Sequence, residues 1–351
     1  MAEGGALRPT LHDIARETGL SIATVSRALH RDRSPNVSDD TRRRVREVAR
    51  NLGYSPNLAG RSLATGRSHT VSYWTFDAFA PYYAMVARLV CDQAQRRGYY
   101  VIINNTTDPA RSLHAEGAGT RTGNPLASGT DGVIACDVAF EANEYAALLR
   151  SRSIPFVGIG LNYPRDRDFV GVDLYEGGVI ATRHLIAHGA RRVAHMTQSR
   201  GTGVDPRSRG YHYQMREAGR QPELISVLAH HRAPARQAIV EYVRSRRAAG
   251  KPIPDGILCV NDEVAIGCYR GLCDLGLRVP EDVMLVGCDG IEDAEYHACP
   301  ISTLVLPVER MSSLAWDYLE SRLRNREQEL QQTTLLPELV VRESSRRDAK
   351  S

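Results

Sequence analysis

The sequence predicts an α/β protein made of an N-terminal three-helix helix-turn-helix domain, a short hinge helix and a larger two-lobed core built on parallel sheets. Three observations lead to this prediction. Residues 10–54 combine helix caps with helical apolar spacing, and from Val71 onward short apolar strands alternate with helices. About 280 residues follow Arg67, more than a single hydrophobic core usually holds, so we expect two lobes.

Two short helices joined by a tight turn are predicted first. Thr10 caps a helix over residues 11–17, whose apolar side chains share one face. Gly19 suits a turn residue with positive φ, and Ser21 caps a second helix over residues 22–29. A connection this short is typical of a helix-turn-helix, in which the start of the second helix enters the major groove of DNA.

A third helix and a linker helix are predicted next. Ser38 caps the third helix, which ends at Gly53. Residues 58–65 form a helix too short to be stable alone in water, so we expect it to fold only when DNA holds it. Leu63 has no core to enter and fits a wedge that opens a base step in the minor groove. The alternative is a flexible linker with one incidental leucine.

Positive charge is concentrated in this N-terminal part. Residues 1–68 hold twelve Arg against seven Asp or Glu, a net charge of +5, whereas the whole chain carries +4. A basic module on a nearly neutral body is the expected footprint of phosphate binding, and its affinity for DNA should fall steeply with salt. A run of charged residues by itself more often forms a solvent-exposed surface. Because the positive charge is concentrated at one end of the chain, phosphate binding is the favoured interpretation.

The core is predicted from its alternating pattern. The predicted strands are 71–75, 99–103, 132–135, 156–159, 169–172, 193–196, 223–229, 256–260 and 284–287. The predicted helices are 82–97, 142–151, 175–188, 208–218, 235–248 and 263–275. Such alternation implies parallel sheets with right-handed crossovers. No regular element is predicted for residues 108–129, which are rich in Gly, Thr and Ser.

Several segments resemble the lactose/galactose repressor (LacI/GalR) family of transcription regulators. They are Thr10-Leu-His-Asp-Ile-Ala, Gly19-Leu-Ser-Ile-Ala-Thr-Val-Ser-Arg27, Val37-Ser-x-x-Thr-Arg42, Leu52-Gly-Tyr-x-Pro-Asn-x-Ala59, Ser62-Leu-Ala64 and Pro337-Glu-Leu-Val-Val-Arg-Glu-Ser344. The resemblance implies a homodimeric repressor of a pseudopalindromic DNA operator. It also implies a periplasmic-binding-protein-like core with a small-molecule effector between its lobes. The alternative for the N-terminal part is an ordinary three-helix packing domain with a basic surface.

These patterns and the resemblance set the predicted domain bounds. The DNA-binding domain covers 1–55, the hinge 56–67, the effector-binding and dimerisation core 68–345 and the tail 346–351. Within the core, the N-lobe is predicted at about 68–165 and 298–325, and the C-lobe at about 166–297 and 326–345. Because the tail is short, polar and without heptads, we expect a dimer and not a coiled-coil tetramer.

By resemblance, the DNA contacts divide into two kinds. Phosphate contacts fall on side chains that suit a sequence-blind role, namely Thr10, Ser21, Thr24, Ser26, Ser38, Thr41, Tyr54 and Asn57. Base contacts fall on Ile22, Ala23 and Arg27 in the major groove and on Ala59 and Leu63 in the minor groove. Arg27 suits a bidentate pair with guanine, whereas Ile22 and Ala23 offer only apolar contact, so the half-site should differ from that of the lactose repressor.

Three side chains that match family effector positions follow predicted strands. They are Arg207, Asn261 and Asp289. Ligands of open α/β lobes bind at the carboxyl ends of strands, and an arginine, an amide and a carboxylate there suit a polar ligand. Each residue also has a structural alternative. Asp289 would cap the next turn, and Arg207 would pair with Asp205.

Other positions bear on the class of effector. Tyr82 and Tyr83 suit stacking on a sugar face or a nucleobase, and the alternative is that they pack the first crossover helix. Gly160 stands where the lactose repressor places a sugar-binding acid, and residues 232–235 lack the aromatic ring that relatives often supply. We therefore expect two typical sugar contacts to be missing. A sugar or sugar derivative is the leading effector, and a nucleoside- or purine-responsive regulator is the alternative.

The sequence favours ligand binding over catalysis. Gly201-Thr-Gly203 lacks the lysine of a phosphate loop, and the seven cysteines show no C-x-x-C and no histidine at metal spacing. We expect no enzymatic activity, no cofactor, no metal and, without a signal peptide or membrane span, a cytoplasmic location. Cys288 is the one candidate for redox sensing. A solute-binding protein without a regulatory role is the rival of another class, but residues 10–66 would then have no use.

Overall fold

The computed structural model describes residues 9–29, 37–55, 67–75, 77–105, 129–138, 146–160, 166–198 and 205–347. Its first helices are α1 (Leu11–Thr18), α2 (Ile22–Leu29) and α3 (Asp39–Asn51), as the caps and apolar spacing predict. Gly19 ends α1 with a φ of 66°, a conformation that glycine adopts without steric cost. The predicted tight turn between α1 and α2 is therefore confirmed.

The three helices pack around a small apolar core, to which Ile14 of α1 and Val25 of α2 contribute fully buried side chains. Arg42 of α3 is also buried, and its Nη1 lies 3.4 Å from the carbonyl oxygens of Arg27 and Ala28. The guanidinium thus binds carbonyl groups that the end of α2 leaves without helical partners. This contact fixes the position of α2 against α3.

The core alternates strands and helices as predicted through residue 289, with bounds that differ by a few residues, and the helices and strands between residues 292 and 335 were not predicted. The strands are β1 (Thr70–Thr75), β2 (Tyr100–Asn105), β3 (Gly132–Cys136), β4 (Phe156–Ile159), β5 (Asp168–Val172), β6 (Val193–Gln198), β7 (Glu223–Val227), β8 (Gly256–Cys259), β9 (Met284–Asp289), β10 (Ser302–Val305), β11 (Gln332–Leu335) and β12 (Glu338–Val340). The helices are α4 (Pro81–Arg97), α5 (Ala146–Ser151), α6 (Leu174–Ala187), α7 (Pro206–Glu217), α8 (Arg232–Ala248), α9 (Asp262–Asp274), α10 (Glu292–Glu295) and α11 (Val308–Arg324). A 3₁₀ turn, Glu343–Ser345, follows β12.

Across the described residues, the strands form two six-stranded sheets. The N-lobe sheet has the order β11-β5-β4-β3-β1-β2, and all its pairs are parallel. The C-lobe sheet has the order β12-β10-β9-β8-β6-β7, and only its β10–β12 pair is antiparallel. Parallel strands bring their carboxyl ends to one edge of each sheet, where ligands of such lobes bind.

The sheet pairing corrects the predicted lobe bounds. Strand β5, which was predicted in the C-lobe, pairs with β4 and β11 and belongs to the N-lobe. Strand β10, predicted in the N-lobe, pairs with β9 of the C-lobe, and β11, predicted in the C-lobe, belongs to the N-lobe sheet. The chain therefore crosses between the lobes after β5, after β10 and after β11. These three connections are short, so they are suited to act as hinges.

Three predicted DNA-contact residues, Asn57, Ala59 and Leu63, lie outside the described residues, as do positions 108–128. Among the helices that the structure does describe, none is both long and apolar enough to cross a membrane.

Candidate nucleic-acid interface and interlobe cleft

The start of α2 presents an exposed face. Ile22 has 39% of its surface exposed, which is unusual for a large apolar side chain, and Ala23 and Arg27 are exposed beside it. The Nε of Arg27 lies 3.1 Å from the carbonyl oxygen of Ala23, so the guanidinium is held along the helix. Two apolar side chains and one guanidinium thus share the surface that the sequence assigns to base contacts.

The predicted phosphate contacts cluster at helix starts. The Oγ of Ser21 accepts a hydrogen bond from the backbone N–H of Thr24 (3.1 Å), and Ser38 caps α3 in the same way through Thr41 (3.2 Å). At α1, the carboxylate of Asp13 accepts hydrogen bonds from the N–H and hydroxyl of Thr10. These hydroxyls lie at the positive ends of helices, where a phosphate is favoured.

Two further predicted phosphate residues are partly covered. Ser26 of α2 is half-buried, and Tyr54 is half-buried where it packs against the helical core. Tyr54 therefore combines a structural contact with a position beside the start of the hinge.

A cleft of about 110 Å³ lies between the two lobes, at the sheet edges where the parallel strands end. All five predicted effector residues line it. The cleft is lined by Asp77, Ala80, Pro81, Tyr82, Tyr83, Asp137, Gly160, Val172, Leu174, Arg207, His230, His231, Asn261, Glu263, Asp289, Ile291 and Leu306. Because these residues lie at strand ends and helix starts of both lobes, a ligand in the cleft would contact both lobes.

Arg207 is fixed by its own lobe and still reaches the cleft. Its Nε lies 3.1 Å from Oδ1 of Asp205, and its Nη1 donates to the carbonyl oxygen of Val260 at 2.6 Å. The predicted pairing with Asp205 therefore exists alongside the cleft position. Its Nη2 makes no hydrogen bond to any residue that the structure describes and is available to a ligand.

The close packing of α6 against α7 determines where the backbone of Arg207 lies. A Cβ at Gly178 would lie 2.3 Å from the carbonyl oxygen of Arg207, and a Cβ at Gly210 would lie 2.0 Å from that of Tyr175. Only glycine permits this close approach of the two helix backbones.

Asp289 ends β9 in a strained backbone conformation, with a φ of 121°. The predicted alternative, a cap for the next turn, is wrong, because the N–H groups of Gly290 and Ile291 donate to Asp262 instead (2.8 and 2.9 Å). The carboxylate of Asp289 is thus left facing the cleft. Burial, together with the nearby charge of Asp262, raises the pKa of Asp289 well above its ordinary value.

Asp262 fixes the loop that follows β9 by accepting hydrogen bonds from its backbone. Its carboxylate is fully buried and accepts three hydrogen bonds, from the two loop amides and from the hydroxyl of Thr303 at 2.6 Å. Burial raises the pKa of Asp262 to about 7 against the effect of these bonds, which favour the charged form. Asn261 beside it caps α9 through Val264 N (2.9 Å), and its Nδ2 lies 3.5 Å from the carbonyl oxygen of His230.

The tyrosine pair packs against the core of its lobe, in agreement with the structural alternative. Tyr82 is buried in the hydrophobic core and Tyr83 packs against it, with ring centroids 5.0 Å apart at 74°. Both rings also line the cleft. They are therefore a fixed aromatic wall and not mobile side chains.

Sequence reasoning missed five polar groups in the cleft: Asp77, Asp137, His230, His231 and Glu263. Asp137 directly follows β3 and Asp289 is the last residue of β9, so the strand-end rule applied to the N-lobe would have found Asp137. The two histidines come directly before residues 232–235, which themselves hold no aromatic ring, so imidazoles line the cleft just outside that segment.

Cys288 is buried under the cleft, and its sulfur lies 3.8 Å from Nη1 of Arg207. Burial raises the pKa of this thiol well above its ordinary value, which disfavours the thiolate that redox sensing needs. Within the described part of the chain, no group of three or more His, Cys, Asp or Glu side chains is arranged to hold a metal ion.

Two family models match the chain. The model described as bacterial regulatory proteins, lacI family, matches residues 10–57, and a periplasmic binding protein-like domain matches residues 182–345. The HTH-type transcriptional repressor PurR of Edwardsiella ictaluri (strain 93-146) is 28% identical over 95% of this chain and 96% of its own length. The protein of the same name from Pasteurella multocida (strain Pm70) is 26% identical over 95% of this chain and 98% of its own length.

Solved structures give a consistent result. The transcriptional regulator CelR in complex with cellobiose is 26% identical, covers 96% of this chain and 100% of its own, and superposes with a TM-score of 0.63. A regulator from Arthrobacter sp. FB24 in complex with lactose is 25% identical over 79% of this chain and 98% of its own, with a TM-score of 0.67. The lac repressor dimer bound to operator and the anti-inducer ONPF shares the fold, with a TM-score of 0.76 at 20% identity over 97% of this chain and 99% of its own.

Proposed function

We propose that this chain, which belongs to the LacI family of bacterial regulatory proteins, is a transcriptional repressor that binds its operator as a homodimer and responds to a sugar-like effector in the interlobe cleft. The observation that carries this proposal is the joining of two parts. One is a helix-turn-helix with an exposed reading face, and the other is a core whose cleft collects polar groups from both lobes.

The DNA contacts follow from the arrangement of α1 to α3. Arg27 is the only cation on the described part of the proposed base-reading face, so it is assigned to a guanine, with Ile22 and Ala23 beside it on apolar base edges. The hydroxyl groups at the helix starts are assigned to phosphates, namely those of Thr10, Ser21, Ser38 and Thr41. We further propose that the hinge, with Ala59 and Leu63, enters the minor groove.

A sugar-like effector is favoured by the chemistry of the cleft. Carboxylates, an amide and a guanidinium satisfy hydroxyl groups, and the tyrosine wall offers an apolar face of the kind that stacks on a sugar ring. Two structures similar to this chain hold cellobiose and lactose. The second candidate, a purine or nucleoside, is favoured by the fixed aromatic pair Tyr82 and Tyr83.

Control by the effector follows from contacts with both lobes. A ligand that touches Tyr83 on one side and Arg207 on the other binds the closed arrangement best, so it shifts the lobes toward closure. Closure about the three interlobe connections would change the spacing of the two hinge segments in a dimer, and with it the affinity for the operator.

Selection of DNA by the purified chain from a random duplex library tests this function. We expect enrichment of a pseudopalindrome with a guanine in each half-site, and loss of preference at that guanine in Arg27→Ala. Enrichment of no sequence would favour the rival of another class, a solute-binding protein, in which the N-terminal domain has no regulatory role.

A further inference from the structure

We infer that the end of the C-lobe opposite the cleft binds a second segment of double-stranded DNA through its phosphates. This end, the basic pole, is defined by eight cationic side chains: Arg191, Arg192, Arg216, Arg220, Arg244, Arg246, Arg247 and Lys251. The proposed function uses DNA only at the helix-turn-helix and the hinge, so this site is additional to it.

The basic pole lies at the amino ends of the C-lobe strands. Arg192 directly precedes β6, β7 begins at Glu223 shortly after α7, and Lys251 lies in the connection from α8 to β8. The strand register places Val193 of β6 opposite Gly256 of β8, so these strands begin at the same level. Because the carboxyl ends of both sheets border the cleft, the amino ends of the C-lobe strands face away from the N-lobe, which the hinge joins.

Side-chain contacts join the separate segments of the pole into one surface. The carboxylate of Glu223 lies between two of the arginines, with Oε2 3.9 Å from Nε of Arg192 and Oε1 3.3 Å from Nη2 of Arg246. Arg220, which follows α7, donates from Nη1 to the carbonyl oxygen of Ala190 in the connection before β6. The cations therefore come from three parts of the chain and share one end of the lobe.

Most of the positive charge at the pole is exposed. Five of the eight cations are exposed and make no ion pair with any residue that the structure describes: Arg191, Arg216, Arg244, Arg247 and Lys251. The neighbouring acids are engaged by the protein itself. Glu223 also accepts a hydrogen bond from the hydroxyl of Tyr242, and Asp255 accepts one from the backbone N–H of Arg192 at 2.7 Å. The surplus charge is thus free to meet an anionic partner.

The pole is positive in a core that is otherwise negative. Segments 188–192, 213–223 and 241–255 hold eight Arg or Lys against four Asp or Glu, a net charge of +4. Residues 69–351 together carry −1, so the rest of that stretch carries −5. A patch of exposed cations on a body of opposite charge is the electrostatic footprint of polyanion binding.

Helix ends explain only part of this charge. Arg216, Arg246 and Arg247 lie in the last turns of α7 and α8, where a cation stabilises the helix dipole. Arg191 and Lys251 lie outside helices and have no such role. Like charges held this close repel one another, and a bound polyanion removes that repulsion.

Double-stranded DNA is the polyanion that fits the pole best. Its phosphates form a dense row that exposed guanidinium groups bind without regard to sequence. A stable protein partner would need an apolar centre in its interface, whereas Tyr213 and Leu224 are the only exposed large apolar side chains in or directly beside the three described segments. The helix-turn-helix domain also keeps the chain close to DNA, which raises the local concentration of a second segment.

Lys251 serves as the reporter in the test of this site. Lys251 and Lys350 are the only lysines of the chain, so the helix-turn-helix and hinge contain none. The full-length protein is acetylated with a lysine-directed reagent, with and without a mixed-sequence duplex of about 30 base pairs, and modification of Lys251 is followed by mass spectrometry. At about 50 mM salt, we expect saturating duplex to slow this modification at least about fivefold. An unchanged rate overturns the inference.

A double variant, Arg244→Gln with Arg247→Gln, removes two exposed cations and keeps Lys251. Each phosphate contact adds about 0.9 to the salt slope of binding, so we expect a slope of about −4.5 for five contacts and about −2.7 in the variant. The duplex concentration for half-protection should rise at least about tenfold at 50 mM salt. Arg270→Gln with Arg310→Gln, which removes two exposed arginines outside the pole, is the matched control and should behave as the wild type. Equal protection in both variants contradicts the assignment to the pole.

Poly-glutamate distinguishes DNA from an acidic protein partner. Protection of Lys251 by poly-glutamate at a lower charge concentration than by the duplex overturns the choice of DNA. Operator selection, carried out separately, tests the proposed function. A protein that selects no operator and still shows salt-dependent protection of Lys251 contradicts that function and leaves the DNA site at the pole in place.

Discussion

Replacement of Arg207 by alanine should uncouple the effector from DNA. The guanidinium lies in the cleft with Nε and Nη1 engaged by Asp205 and Val260, and Nη2 is the nitrogen available to a ligand. Loss of one charge-assisted hydrogen bond weakens binding by about 1.5–3 kcal/mol, or roughly 10- to 150-fold in effector affinity. Operator affinity without effector should be unchanged, because the helix-turn-helix has its own core.

The same change also affects the stability of the C-lobe. Asp205 has 22% of its side chain exposed and would lose its ion pair, which we expect to cost about 2 kcal/mol after allowance for solvent screening. A decrease of this size lowers Tm by several degrees in a domain of this length and leaves the protein folded at 25 °C.

Fluorescence anisotropy of a labelled operator, titrated with protein at several effector concentrations, measures both affinities. The control is Arg236→Ala, which removes an exposed arginine that pairs with Asp274 on the same lobe and outside the cleft. We expect a normal effector response in the control. A normal response in Arg207→Ala would refute the assignment of the cleft as the effector site.

Three further predictions concern the hinge, a buried histidine and the packing under Arg207. Leu63→Ala should weaken operator binding about tenfold and leave effector binding intact. An unchanged operator affinity would contradict the proposal that Leu63 opens a base step in the minor groove. Burial lowers the pKa of His195 from 6.5 to about 4, so its contribution to stability is present above pH 6.5 and is lost as the pH falls toward 4. Between pH 7 and pH 5, the free energy of unfolding measured in urea should fall by about 2 kcal/mol more in the wild type than in His195→Gln. An equal fall in both proteins would contradict this contribution of His195. Gly178→Ala should destabilise the core by about 3 kcal/mol, because its Cβ would meet backbone at 2.3 Å. Gly177→Ala, which meets only side-chain atoms at 3.2 Å, should cost clearly less by calorimetry, and equal costs would exclude the close-approach explanation.

Local features of the fold could be predicted because their causes are local. The cap at Ser38 and the positive φ at Gly19 depend on a few neighbouring residues, and both are confirmed. The lobe bounds were wrong because they depend on strand pairing across the chain. Strand β5 pairs with β11, about 160 residues later, and no local pattern contains that information.

The cleft could be predicted in part for a related reason. Arg207 and Asp289 follow strands of a recognisable series, and the structure brings both into one site. Asp137 was not predicted because its side chain lies against Gly160, which comes from another strand and has no side chain of its own. Its proximity to Gly160 arises only when β3 and β4 pair side by side.

The central claim, that a ligand in the cleft controls DNA binding, is tested most directly by the affinity for the selected operator with and without a compound that stabilises the core. We predict a change of about tenfold or more in that affinity, abolished by Arg207→Ala. A compound that occupies the cleft at saturation and leaves operator affinity unchanged would contradict the claim.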